Sequence, residues 1–383
     1  MIASSKDSGK INPDAAVNGI VFRPAPVLNP IKVTRTTNMK NLEFGTSEGL
    51  LTLLGIKGLG AVTARGIAEK FADLDALRTA EDEEFKGIAN VTVRDLLRND
   101  NAALQEANGK ARREIEGVKE VGADVVCFLD ELYPEQLLHI PDMPLVLRVC
   151  GDLGVIRRSI AFVGARAASE FGQTATHRMA QYFASRDWTI VSGLASGIDQ
   201  ISHRAALEVG KPTVAVIGSG IDTYRNDHEL DMAVEIAGNG GLVISEQPCG
   251  RDADRATLIK RNRLITGLSV ATFVMQAARK SGTMHSVRYA THQGKPIYVP
   301  GIPGKFQSDP LNEVPRLLAQ SNGSDFVRWA DFSQKIIDEV DEREEQPLAT
   351  AIASRDAYLQ VEQELEIMMP AAAKSASSLP KVA

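Results

Sequence analysis

Hydrophobic residues are spaced in two ways along this chain, and each spacing predicts its own architecture. Between Thr46 and about Leu104 they recur at steps of three and four: Leu50, Leu51, Leu54, then Ile67, Phe71, Leu74 and Leu77. That is the period of one face of an α-helix. Between Val118 and about Gln320, short β-branched runs alternate with helical segments, the pattern of βαβ units around a mainly parallel sheet. The runs place strands at 159–164, 188–192, 213–217, 242–245, 270–275 and 296–299, and Asp124–Leu129 and Leu145–Val149 offer edge strands. Nearly continuous apolar runs suit strands covered by helices on both faces. Residues 1–42, rich in Asn, Pro and Ser, carry no period and read as a disordered arm. The pattern predicts a small helical domain at 43–115, a Rossmann-like domain at 118–322, and an acidic tail at 323–383. In the tail, Asp356–Met369 suits one short helix and the last dozen residues read as disordered.

The chemistry suggested by this pattern lies at the strand ends. In an open α/β sheet, ligands bind beyond the carboxyl ends of the strands. Gly164-Ala165-Arg166 follows the first parallel strand, and Ser192-Gly193-Leu194-Ala195-Ser196-Gly197 the second. Gly218-Ser219-Gly220 follows the third, Ser245-Glu246-Gln247-Pro248 the fourth, and Arg279-Lys280-Ser281-Gly282-Thr283 the fifth. Small residues let backbone N–H groups approach a ligand, and helix N-termini beyond them favour an anion. Any one of these turns is explained by tight strand-to-helix packing. Several along one edge, with Arg166 and Lys280 among them, point to a crest that accepts phosphates. Lys260-Arg261-Asn262-Arg263 precedes the fifth strand. At 100° per residue Lys260 and Arg263 share a face. Arg261 points elsewhere and keeps a second reading, as an internal ion-pair or carbonyl-binding residue. Near the N-terminus, Gly58-Leu59-Gly60 before a helix makes a helix-hairpin-helix type of turn, whose N–H groups can hold one DNA phosphate.

Familiar alternatives fail on spacing. Gly164-Ala-Arg-Ala-Ala-Ser is not GxGxxG, and neither GxxxxGK[ST] nor GxSxG occurs. Cys127, Cys150 and Cys249 match no zinc spacing, and the histidines form no paired-ligand pattern, so neither metal nor cofactor is expected. The 383 residues contain no apolar run long enough for a transmembrane helix and no signal-peptide core, which predicts a cytoplasmic protein. Net charge is −6, but residues 157–316 carry 19 Lys+Arg against 14 Asp+Glu. The local field therefore suits an anionic partner. Aromatic residues make up only 5%, so charge is expected to outweigh base stacking.

Four segments carry a resemblance: Ser192-Gly-Leu-Ala-Ser-Gly-Ile-Asp199 with His203, Gly240–Pro248, Arg261-Asn-Arg-Leu-Ile-Thr-Gly-Leu-Ser269, and Gln293–Gly301. In order and spacing they resemble the DNA-processing protein A family (DprA, also called Smf) over about 124–320. The resemblance implies an extended Rossmann-like domain that binds single-stranded DNA, forms a homodimer, and loads the RecA recombinase during natural transformation. It implies no enzyme and no catalytic residue. With the strand-end turns, the basic helix and the hairpin turn, candidate DNA- and phosphate-binding positions are Gly164, Arg166, Ser192, Gly193, Ser219, Lys260, Arg261, Asn262, Arg263, Lys280, Ser281 and Gly282, with Gly58 and Gly60 in the helical domain. The chain departs from the family where Ala165 replaces a serine, where Arg225 follows Tyr224, and where no winged helix is evident at 329–383. Two competing readings use the same fold: a small-nucleotide sensor, and a nucleotide-cleaving phosphoribohydrolase. The second lacks a carboxylate after Gly282-Thr283.

Overall fold

A computed structural model describes residues 42–341 and 346–369. The expected arm, apart from Leu42, and the final dozen residues lie outside them. The helical part contains α1 (Ser47–Gly55), α2 (Ala61–Lys70), α3 (Leu74–Thr79), α4 (Val91–Asn99) and α5 (Asn101–Glu120). Side chains cap several of these helices: Thr46 accepts from Gly49 N–H, Asp73 from Ala76 N–H and Asn90 from Val93 N–H. The 20-residue α5 runs straight through the domain boundary expected at 115–118.

The sheet has nine strands: β1 (Asp124–Cys127), β2 (Val146–Gly151), β3 (Ser159–Val163), β4 (Thr189–Ser192), β5 (Thr213–Gly220), β6 (Leu242–Gln247), β7 (Thr272–Val274), β8 (Ile297–Pro300) and β9 (Ala349–Ile352). Their spatial order is β1-β2-β6-β5-β4-β3-β7-β8-β9. β2 runs antiparallel to both β1 and β6, and every other pairing is parallel. The strand order reverses between β3 and β7. The helices between β1 and β8 are the short α6 (Glu135–Leu138), α7 (Glu170–Ala184), α8 (Ile198–Glu208), α9 (Asp227–Gly238), α10 (Arg255–Gly267) and α11 (Thr283–His292), and α12 (Glu313–Gln320) follows β8.

Alternate strand residues enter different cores, as period-two geometry requires. Ala161 and Val163 of β3 join Leu264 of α10 and Val287 of α11 on one face. Ile160 and Phe162 meet Met179 and Phe183 of α7 on the other. The first core continues without a break into Leu50, Leu53 and Ile67 of the helical region. Ser47 Oγ also donates to Val125 O of β1 at 3.2 Å. The helical region and the sheet thus share one interior.

The tail departs from expectation. After α13 (Gly323–Trp329) and α14 (Gln334–Asp341), β9 pairs in parallel with β8, Ile297 opposite Ala349. α15 (Ala357–Met368) then buries Val361 and Leu365 in the core that holds Phe183 and Phe273. Glu364 accepts a hydrogen bond from Tyr298 Oη at 2.8 Å, and Glu362 pairs with Arg186 at 3.0 Å. The acidity of this segment serves partly to anchor it. Residues 349–368 belong to the sheet domain, because β9 extends the sheet beyond β8 and Ile352, Val361 and Leu365 join its core.

Candidate nucleic-acid interface

The carboxyl ends of β3, β4 and β5 meet around an open cleft of about 200 Å³ lined by Arg166, Ser196, Gln200, Arg225, Asn226, His228 and Glu229. Arg166 leaves the end of β3 and is exposed, with no hydrogen bond or ion pair from its side chain among the described residues. Arg225, just before α9, pairs with the buried Glu229. Asn226 accepts from Glu229 N–H at 3.0 Å and so fills part of the helix terminus itself.

Two glycines shape the loop after β4 that carries Ser196 into the cleft. Gly197 has φ +83°, and a Cβ there would stand 2.3 Å from Ala165 O. Only glycine lets α8 start this close to the Arg166 loop. Gly193 is required for another reason, since a Cβ would fall 1.5 Å from Nη1 of Arg261. Between them Leu194 sits at φ +66° with its side chain buried, a backbone state that a β-carbon disfavours and that recurs at functional sites.

Beneath the cleft lies a buried charge cluster. Arg261 is 6% exposed and donates from Nη1 to Val216 O at 3.1 Å. Burial pulls its guanidinium down to about 10, which leaves it charged at neutral pH. Burial also pushes the Asp199 carboxyl up, an effect opposed by the charge of Arg261 and the Ala195 N–H. His203 is fully buried and its Nδ1 lies 2.7 Å from Thr213 Oγ1. Because Thr213 Oγ1 already donates to Ile190 O, His203 Nδ1 must carry the proton. Burial, reinforced by Arg261, holds this imidazole down at about 3, so it is neutral.

The expected phosphate-binding residues therefore divide. Arg166, Lys280 and Gly282 are exposed at the surface, as is Lys260, which stands 3.5 Å from Glu246. Asn262 is half-buried on α10. Arg263 does not share the solvent face of Lys260. It is 2% exposed, donates to Asp142 O at 2.7 Å and pairs with Glu246 at 2.8 Å. A buried guanidinium needs such partners, and Glu246 on β6 supplies one. Arg261 takes its alternative reading, as a carbonyl-binding residue. Ser192 Oγ is spent on Phe162 O at 2.6 Å, and Ser219 Oγ on Thr223 O. Ser281 Oγ is buried with no hydrogen-bond partner. Gly164 packs β3 against α8, since a Cβ would meet Ile198 at 2.5 Å.

In the helical region Gly58 has φ +89° and Gly60 starts α2 without a side-chain cap, with open space around both. The sequence reading passed over a second copy. Lys86-Gly87-Ile88 repeats Lys57-Gly58-Leu59, and Gly87 has φ +78°. There Asn90 fills its own helix terminus, which leaves the first hairpin as the open one. Arg225 and His228 were also missed. Their signal was position alone, at the start of the helix after β5.

The fold is that of a Rossmann-like sheet protein with a helical hairpin region at its N-terminal side. The chain belongs to the DNA recombination-mediator protein A family, whose model matches residues 124–332, and a helix-hairpin-helix motif model matches 49–94. Protein Smf of Escherichia coli strain K12 is 36% identical over 189 residues, 49% of this chain and 50% of that protein. The DNA processing protein DprA of Bacillus subtilis strain 168 is 29% identical over 63% of this chain and 79% of that protein. The alignment thus spans about half the length of the Escherichia coli relative. The crystal structure of DNA processing protein A from Streptococcus pneumoniae superposes with a TM-score of 0.59 at 23% identity, over 82% of this chain and 97% of that one.

Proposed function

We propose that this chain binds single-stranded DNA along the carboxyl edge of its sheet and delivers it, as a homodimer, to a RecA recombinase without catalysing a reaction itself. The observation that carries this reading is Arg166, an exposed guanidinium with no hydrogen bond or ion pair from its side chain among the described residues, over a cleft that also holds Arg225. Lys260 and Lys280 extend the cationic edge to either side, with the Ser281-Gly282 turn beside the latter. Gly193, Ser192, Ser219, Arg261 and Arg263 act from beneath by fixing the loops. The open N–H groups around Gly58 and Gly60 add one further phosphate contact.

Size favours a polymer over a free nucleotide. Small-molecule pockets usually measure about 300–1,000 Å³. The present cleft, about 200 Å³ and open, suits one phosphate and its sugar. Glu246 is tied to Arg263 and Lys260, and Asp199 lies buried beside Arg261, so neither carboxylate is placed as a free general base. The recombinase and dimer assignments rest on the family.

The test is a salt titration of oligonucleotide binding by fluorescence anisotropy. Affinity should fall steeply with salt through counterion release and should favour single strands over duplex. Salt-independent binding or a clear duplex preference overturns the reading.

A further inference from the structure

A stacked aromatic pair stands at the same edge, beyond the reversal of strand order. Phe171, in the first turn of α7, and Phe306, in the short 3-10 turn Gly304–Phe306 after β8, have ring centroids 4.9 Å apart at 29°. Both residues are partly exposed, and the ammonium of the exposed Lys305 lies 4.7 Å from the Phe306 centroid. The large aromatic pairs of the core, such as Phe162–Phe273, have both rings buried.

Hydrogen bonds fix this pair relative to the Arg166 loop. Gln276, fully buried just past β7, accepts from Ser169 N–H at 2.9 Å and donates to Ser169 Oγ at 2.7 Å. Its Nε2 also donates to Asn312 Oδ1 at 2.7 Å, and Asn312 Nδ2 donates to Phe306 O at 2.9 Å. Ser169 stands between Arg166 and Phe171 in sequence. One buried amide thus ties the loop carrying the free arginine to the turn carrying Phe306. It also closes the crevice where the strand order reverses, since even a Cβ on Gly172 would lie 2.0 Å from Gln276 Oε1. A ligand at this edge must lie over the surface.

We propose that Phe306, backed by Phe171, seats one nucleobase of a strand whose phosphates follow the carboxyl edge, and that Lys305 leaves the ring for the adjoining phosphate as the base arrives. This rests on the single-strand reading above and adds a base contact to it. Base-on-aromatic stacking is tolerant of sequence and stronger than an exposed ammonium–ring contact, so the base displaces the lysine.

The test compares a labelled oligothymidylate with an abasic oligonucleotide of equal length, binding to the full chain being read by anisotropy. Phe306→Ala, and Phe306→Leu as the variant that keeps apolar volume, should weaken oligothymidylate binding roughly fivefold, about 1 kcal/mol at 1.4 kcal/mol per tenfold. Both should leave abasic binding and the salt slope unchanged, and Phe306→Tyr should bind as the unsubstituted protein does. Equal losses on both oligonucleotides, or no loss with either variant, overturn the base seat while leaving the phosphate edge standing. If the unsubstituted protein binds neither oligonucleotide, the single-strand reading itself fails and the seat with it.

Discussion

Gly193→Ala offers a sharp test of the buried cluster, because nothing about the backbone forbids it. Gly193 is not among the residues at positive φ, so alanine brings no conformational penalty there. The cost is steric, since the new methyl would fall 1.5 Å from Nη1 and 2.2 Å from Cζ of Arg261. The guanidinium must move and gives up its 3.1 Å bond to Val216 O. It also leaves Asp199 beside a weakened counter-charge. A hydrogen bond to a charged group contributes about 1.5–3 kcal/mol. The expected loss is therefore about 2 kcal/mol, measured by urea unfolding. Arg261→Met should be destabilising by a similar amount. The double variant should then lose little more than Arg261→Met alone, because the methyl now meets no guanidinium. A Gly193→Ala loss below about 0.5 kcal/mol, typical of an innocuous surface change, would refute the reasoning. So would strictly additive losses in the double variant.

Arg166→Ala should weaken single-strand binding by about 1–3 kcal/mol, as for a lost charge-assisted hydrogen bond, with the melting temperature nearly unchanged; normal affinity removes Arg166 from the interface. Removing residues 346–383 should destabilise the protein, because β9 and α15 go with them, and circular dichroism should show a clearly lowered melting temperature; an unchanged one would mean that β9 adds nothing to the sheet. His203 binds a proton far more weakly folded, at about 3, than its ordinary 6.5. Its contribution is therefore fully present above pH 6.5 and is lost as pH falls toward 3. Linkage gives a loss of about 2 kcal/mol between pH 7 and pH 5. Relative to the unsubstituted protein, His203→Gln should show a shallower acid slope in urea unfolding; an identical slope would clear the histidine.

Eight of the nine strands were legible because each is a short, nearly continuous apolar run. β9 was not: Ala349-Thr350-Ala351-Ile352 has one large apolar residue and follows an acidic stretch, and only its pairing with β8 makes it a strand. The end of α5 was missed for a related reason. Its buried residues past Leu104 are mostly small, Ala107, Asn108 and Ala111, so the helical period barely registers. At the interface, counting 100° per residue placed Lys260 and Arg263 on one side of α10. It could not show that Glu246, on a strand ahead in sequence, draws Arg263 inward. The same limit applies to Gly193, whose neighbour Arg261 is remote in the chain. Arg166 was legible because a strand end alone determines where it emerges.

The parallel pairing of β9 with β8 also has a consequence during synthesis. Register partners such as Ile297 and Ala349 lie 52 positions apart in sequence, so β8 leaves the ribosome well before the strand that covers it. During that interval the nascent chain carries an open parallel edge, the kind of surface that recruits strands from other chains. A premature stop within this interval would leave that edge permanently open. Synthesis of residues 349–352 is therefore the step that covers the β8 edge and makes β9 the outer strand.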